Sequence, residues 1–70
     1  MHVTPFGDRV KLARTAKGIS TRELASECGI HHAQISGYEN RGQKPTFYAL
    51  IALAQVLECS LDYLCGLSEN

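Results

Sequence analysis

Three side chains that commonly bind metals lie close together in this sequence: Cys28, His31 and His32. Thiolate and imidazole groups are the usual ligands of zinc, but a structural zinc site needs four of them. The two other cysteines, Cys59 and Cys65, fall in a different predicted helix pair much further along the chain. No second cluster completes a tetrahedral set, so we expect no bound metal.

The sequence contains no motif that indicates a catalytic site. No serine, histidine and carboxylate stand in a recognisable motif, and there is no glycine-rich phosphate loop. Glu23 and Asp62 each follow a helix-start signal, where a carboxylate caps the helix or stabilises its dipole. A chain of 70 residues is also too short to support a large cleft. We expect no enzymatic activity, cofactor or small-molecule substrate.

The formal net charge is zero, but the charges are unevenly distributed. Residues 1–45 hold all seven basic residues and four acidic ones, a net charge of +3. Residues 46–70 hold three acidic residues and no basic one, a net charge of −3. One part of the chain therefore suits a phosphate-rich partner and the other does not.

Nothing in the sequence predicts export or membrane insertion. The longest apolar stretch, Ala49 to Ala54, is far short of the about 20 residues that a membrane helix needs. The first residues lack a basic start and an apolar core, so they do not form a signal peptide. Three cysteines are an odd number for a disulfide framework. We expect a cytoplasmic protein with reduced thiols.

Helix-start and helix-stop signals recur along the chain and predict five short helices around one core. Thr4-Pro5 is a start signal, because a capping hydroxyl precedes proline at the first helical position. Ser20 and Glu23 form a capping box. No segment alternates apolar and polar residues long enough to be a strand. The predicted helices run from Thr4-Pro5 to Gly18, from Thr21 to about Cys28, from about His32 to Glu39, from the Thr46 cap through Leu57, and from the Ser60 cap to near Gly66.

The segment around Gly29 has the spacing of a helix-turn-helix. With Thr21 as position one, Ala25 is position five, where two steeply crossing helices need a small side chain. Gly29 is position nine, where the turn needs a residue that tolerates positive φ. Apolar side chains fall at the positions that seat the second helix: Leu24, Cys28, Ile30, Ile35 and Tyr38.

These residues resemble the lambda-repressor-like, Cro-like helix-turn-helix regulators. The similarity covers roughly Phe6 to Gly66, nearly the whole chain, which we take as a single domain over residues 1–70. The helix-turn-helix occupies about residues 21–39 and the C-terminal helices about residues 46–66. The matching segments are Gly18-Ile19-Ser20, Glu23-Leu24-Ala25, Cys28-Gly29-Ile30, Ile35-Ser36-Gly37-Tyr38-Glu39, Pro45-Thr46, Leu53-Ala54 and Ser60-Leu61-Asp62-Tyr63-Leu64.

The resemblance implies an all-α fold of five helices whose third helix enters the major groove of double-stranded DNA. It also implies a small transcriptional regulator of bacterial or phage origin, a repressor that binds a pseudo-palindromic operator as a homodimer and is nucleoid-associated when bound. The residues that match base-facing positions are His32, Ala33, Ser36 and Gly37. Those that match phosphate-contacting positions are Thr21, His31, Gln34, Arg41 and Lys44.

Further roles come from the same resemblance. Arg14 and Glu39 match an ion pair that ties the first helix to the end of the third, a structural pair in which each charge needs the other. The candidates for a dimer interface are Leu61, Tyr63 and Leu67.

The third helix offers few of the side chains that read bases best, since arginine, asparagine and glutamine dominate direct readout. We therefore expect DNA shape to supply part of the specificity. The zero net charge keeps a second hypothesis open, a protein-interaction module of the antitoxin or adaptor type with weak or no DNA binding.

Overall fold

The computed structural model describes residues 6–67, which form five α-helices and no strand. The all-α architecture expected from the sequence is confirmed. The Thr4-Pro5 start signal lies outside the described residues. The helices are α1 (Phe6–Lys17), α2 (Thr21–Cys28), α3 (His32–Asn40), α4 (Phe47–Leu57) and α5 (Leu61–Leu64).

The start signals of three helices act as the sequence predicts. The Ser20 hydroxyl accepts a hydrogen bond from the Glu23 backbone N–H at 3.1 Å, and the Glu23 carboxylate accepts one from the Ser20 N–H at 2.8 Å. The hydroxyls of Thr46 and Ser60 likewise each accept a hydrogen bond from a backbone N–H in the first turn of α4 and of α5. These bonds satisfy amide donors that a helix leaves free in its first turn.

Every helix contributes one fully buried side chain to a common core. Burial of each such side chain is worth about 1.5–3 kcal/mol. Helices α2 and α3 meet at the Gly29 turn, where φ is +72°. The five large side chains that are fully buried are Val10, Leu24, Ile35, Leu53 and Leu64.

Helix α1 crosses α3 at a close backbone contact. A Cβ built on Gly7 would lie 2.9 Å from the carbonyl carbon of Tyr38, so only glycine fits there. The ring of Phe6 meets the ring of Tyr38 edge to face, with centroids 5.6 Å apart. The side of α3 that carries Tyr38 therefore packs against α1, and the opposite side of α3 faces outward.

Candidate nucleic-acid interface

The outer face of α3 is the surface that the sequence predicts to face bases. Ile35 and Tyr38 are buried in the core, so positions on the other side of the helix point away from it. Ala33 is exposed, and His32 and Ser36 are half-buried. The arrangement leaves these three side chains on or beside the outward surface of the helix.

Gly37 differs from the other predicted base-facing residues because it is buried. A Cβ on Gly37 would lie 2.6 Å from Cδ of Gln43 and 3.0 Å from Nη2 of Arg41. Side chains of the α3–α4 loop therefore cover the backbone of Gly37. A direct contact between Gly37 and a base stays a prediction, and it requires these two side chains to move.

A second capping box starts α3. The Nδ1 atom of His31 accepts a hydrogen bond from the Ala33 N–H at 3.1 Å, and Oε1 of Gln34 accepts one from the His31 N–H at 3.0 Å. Both predicted phosphate contacts, His31 and Gln34, thus lie at the N-terminus of α3. Because Nδ1 is the acceptor, a neutral His31 carries its proton on Nε2, which leaves a donor for a ligand.

The two histidines stack on each other, with ring centroids 4.5 Å apart and planes inclined by 27°. The pKa of His32 is lowered from its ordinary value, first by desolvation and then by the positive charges of Arg22 and His31. The free chain therefore favours the neutral form of His32, and a nearby anion would favour its charged form.

The remaining predicted phosphate contacts lie at the two ends of the helix-turn-helix. Thr21 is the first residue of α2 and is half-buried. Arg41 and Lys44 are exposed in the loop after α3. The Arg41 side chain turns back along α3, and its Nη2 donates to the carbonyl oxygen of Ala33 at 3.2 Å. Its guanidinium group thus lies beside the outer face of α3.

The predicted ion pair between Arg14 and Glu39 is formed. Nε of Arg14 lies 2.7 Å from Oε2 of Glu39, and Nη2 donates to Oε1 at 3.0 Å. The pKa of Arg14 is raised, chiefly because of this hydrogen bond to the Glu39 carboxylate. Nη1 of Arg14 also donates to the carbonyl of Ile19 at 2.9 Å, so one side chain joins α1, the start of α2 and the end of α3.

The three candidates for a dimer interface lie in different environments. Leu61 and Leu67 are exposed, with 39% and 74% of their surface accessible. Tyr63 is half-buried, and the guanidinium carbon of Arg9 lies 4.7 Å from the centre of its ring. Tyr63 is thus partly engaged within its own chain, and the two leucines offer the larger free surface.

No group of three or more histidine, cysteine or acidic residues that could hold a metal occurs within residues 6–67. Over the same residues, no helix has both the length and the apolar character to cross a membrane. Burial raises the pKa of the half-buried thiols of Cys28 and Cys59. These two cysteines fit the predicted role of small apolar residues that pack against the core.

A helix-turn-helix family model matches residues 10–64. The HTH-type transcriptional regulator YobD of Bacillus subtilis strain 168 is 32% identical over 65 residues, which cover 93% of this chain and 58% of YobD. Antitoxin HipB of Escherichia coli K12 is 36% identical over 62 residues, which cover 89% of this chain and 69% of HipB.

A solved structure of the P22 c2 repressor in complex with a synthetic operator has a TM-score of 0.87 and 29% sequence identity to this chain. The match covers 93% of this chain and 98% of that one. The chain spans about half the length of the Bacillus subtilis regulators that it matches.

Proposed function

This chain belongs to the helix-turn-helix family, and on that premise we propose that it is a transcriptional regulator that binds double-stranded DNA sequence-specifically. The observation that carries the proposal is the outward face of α3, which the core leaves free in the same fold as a repressor solved with its operator. The relatives are regulators, which supports a role without enzymatic chemistry. Such a role places the protein in the cytoplasm, where bacterial or phage operators lie.

The proposed binding mode places α3 in the major groove, with its first turns against base edges. His32, Ala33 and Ser36 then face bases. The N-terminus of α3 presents the positive end of its dipole and the capping pair to a phosphate. Thr21 contacts the backbone on one side of this helix, and Arg41 and Lys44 contact it on the other.

We propose a homodimer as the DNA-bound form, with the α4–α5 side as its interface. Leu61 and Leu67 are exposed, and Leu61 lines a shallow groove between the two helices together with Ile51 and Ala54. Residues 46–70 contribute only acidic charges to this side, and Lys17 of α1 is paired there with Glu58, so it is poorly suited to phosphates. A pair of chains joined there presents two α3 helices to an inverted repeat.

A second candidate is an antitoxin that acts mainly through a protein partner. The similarity to HipB favours it, together with the zero net charge. Both candidates use the same fold, so the decisive difference is whether the chain selects a DNA sequence at physiological salt.

Selection of bound duplexes from a random pool at about physiological salt tests the proposal. We expect enrichment of an inverted repeat with half-sites about one helical turn apart. If nothing enriches and binding survives only at low salt, DNA recognition is not the function and a protein partner should be sought.

Two charge-matched variants locate the binding surface. Ala33→Glu adds a negative charge to the exposed centre of the α3 face, and Thr15→Glu adds one to an exposed position of α1 that has no predicted DNA contact. We expect the first to abolish binding to the selected duplex and the second to retain it. Equal losses in both variants would place the DNA elsewhere on the molecule.

A further inference from the structure

The centre of the outer face of α3 carries almost no side chain of its own. Ala33 offers only a methyl group, and Gly37, four residues later on the same face, offers nothing. Neither residue can hydrogen-bond a base through its side chain. His32 and Ser36 lie beside this centre, so a donor or acceptor at the centre itself has to come from outside α3.

Gln43 fills the space that Gly37 leaves open. Its carboxamide packs against the Gly37 backbone, where a Cβ would otherwise project. The loop that carries Gln43 is fixed to the same residue, because the carbonyl of Gly37 accepts hydrogen bonds from the backbone N–H of Arg41 at 3.0 Å and of Gln43 at 3.1 Å. The side chain therefore starts from an anchored backbone, which lowers the entropy lost when it binds.

The carboxamide of Gln43 also has free hydrogen-bonding capacity. Gln43 is exposed, and among residues 6–67 its side-chain amide forms no hydrogen bond. The guanidinium group of Arg41 lies beside it, held by the carbonyl of Ala33. The outer face of α3 thus holds an amide and a guanidinium, the two groups that pair in a bidentate manner with adenine and guanine in the major groove.

We propose that Gln43 is a specificity-determining residue. Its carboxamide contacts a base edge from the space beside Gly37, which a side chain at position 37 would otherwise fill. This inference rests on the proposed DNA-binding function. The carboxamide donates to N7 and accepts from the N6 amino group of an adenine, so the chain prefers an A·T pair at one position of each half-site. The third helix then recognises sequence with a side chain supplied by the loop that follows it.

Two single substitutions test the proposal from opposite sides of the contact. Gln43→Ala removes the carboxamide, and Gly37→Ala adds a methyl group in the space that the carboxamide occupies. The added methyl group meets only flexible side chains among its nearest neighbours, and alanine favours a helix, so the fold should persist. Lys44→Ala is the control, because loss of a phosphate contact weakens all duplexes alike.

Affinities are measured for the selected duplex and for every single base-pair change in one half-site. We expect Gln43→Ala and Gly37→Ala each to reduce the preference at the same A·T pair by about fivefold or more. The double variant should lose no further preference, since both changes remove one contact. Melting temperatures check that each variant is folded, and Gln43→Ala, at an exposed loop residue, carries the test alone if Gly37→Ala does not fold.

Three outcomes overturn the proposal. The preference could survive in Gln43→Ala; Gln43→Ala could weaken every duplex by one factor, as Lys44→Ala does; or a folded Gly37→Ala could keep the preference. A wild-type chain that selects no sequence is a different result, because it rejects the proposed function itself and the inference with it.

Discussion

Two ion pairs join α1 to other parts of the domain, and they differ in burial rather than in length. Arg14 reaches Glu39 at the end of α3 with an N–O distance of 2.7 Å, and Lys17 reaches Glu58 after α4 at 2.8 Å. The side chains of the first pair are only 13% and 3% exposed, whereas those of the second are 33% and 77% exposed. The distances alone would suggest equal importance.

The difference shows how each side of the molecule is held. Water screens the Lys17–Glu58 pair, so such a pair contributes little, and the C-terminal side depends on apolar packing through Leu57 and Leu64. The Arg14–Glu39 pair is much less accessible to water, so removal of one partner leaves a poorly solvated charge. An electrostatic contact therefore adds to the packing that positions α3.

The largest effect is expected from Glu39→Ala. The substitution leaves Arg14 without its carboxylate in a site that is nearly closed to water. We expect a loss of about 3 kcal/mol in the free energy of unfolding, measured by urea denaturation. Base preference should change much less than stability. Unchanged melting together with an altered preferred sequence would make Glu39 a recognition residue instead.

A double-mutant cycle compares the two pairs directly. We expect a substantial coupling energy between Arg14→Met and Glu39→Met, and none beyond experimental error between Lys17→Met and Glu58→Met. Equal coupling energies would show that burial does not distinguish the pairs.

The next largest effect concerns the C-terminal side. Leu61→Glu places a charge on the exposed leucine of the proposed dimer interface. We expect about fivefold or greater loss of affinity for an inverted repeat, with no loss for a single half-site. Sedimentation of the protein–DNA complex gives its stoichiometry. An equal loss on both duplexes would show that Leu61 does not act through a second copy.

A smaller effect on DNA binding is expected when one lysine is removed, either Lys44 after α3 or Lys17 at the end of α1. Lys44→Ala should make the plot of log affinity against log salt less steep by about 0.9, the value of one phosphate contact. Lys17→Ala is the matched control, because Lys17 pairs with Glu58 and should leave the slope unchanged. Fluorescence anisotropy at several salt concentrations measures both slopes. A change of slope in Lys17→Ala alone would mean that Lys17, and not Lys44, contacts a phosphate.

The pH dependence of binding should be modest and should come from His32. Its pKa in the free chain is lowered, first by desolvation and then by Arg22 and His31, and the negative charge of the DNA would raise it in the complex. Binding then takes up a proton, so affinity rises as pH falls from about 7.5 to 6. His32→Gln should give a flat profile. A flat profile in the wild-type chain, with the fold intact, would show that His32 does not lie against the DNA.

The same shift has the opposite sign for stability. Because the folded pKa of His32 is below its ordinary value, the fold favours the neutral form, and this contribution is lost as pH falls through the folded pKa. His31→Ser keeps a capping acceptor for α3, as Ser20 provides for α2, and leaves His32 as the one imidazole at this end of the helix. Melting curves over the same pH range separate stability from binding.

The smallest effect is expected at the exposed pair. Glu58→Gln keeps the shape of the side chain and removes the charge that faces Lys17. We expect no measurable change in melting temperature or in DNA affinity at neutral pH. A clear drop in melting temperature would show that the exposed pair stabilises the fold after all.

Sequence reasoning located the elements well because their signals are local. Ser20 and Glu23 lie three residues apart and cap the helix that begins between them, and Gly29 marks the turn. It also named the Arg14–Glu39 pair, but only through the family resemblance. It missed that His31 and Gln34 repeat the three-residue spacing of the first capping box, a signal that was present in the chain.

Other features had no local signal. The contact of Gln43 with Gly37 depends on the path of a loop, and the position of the Arg9 guanidinium over Tyr63 depends on how α1 meets α5. Gly7 looks like an ordinary helical glycine until α3 is packed against it. Each of these needs the distance between two elements, which no spacing along one element contains.

The sequence by itself therefore determined the five helices, their caps and the face of α3 that the core leaves outward, because these follow from periodicity and from hydrogen bonds between residues a few positions apart. Only the tertiary structure decided what lies on that face. The gap at Gly37 and the side chain of Gln43 that fills it come together because the loop folds back on α3, and the burial that distinguishes Arg14–Glu39 from Lys17–Glu58 arises only when the helices pack.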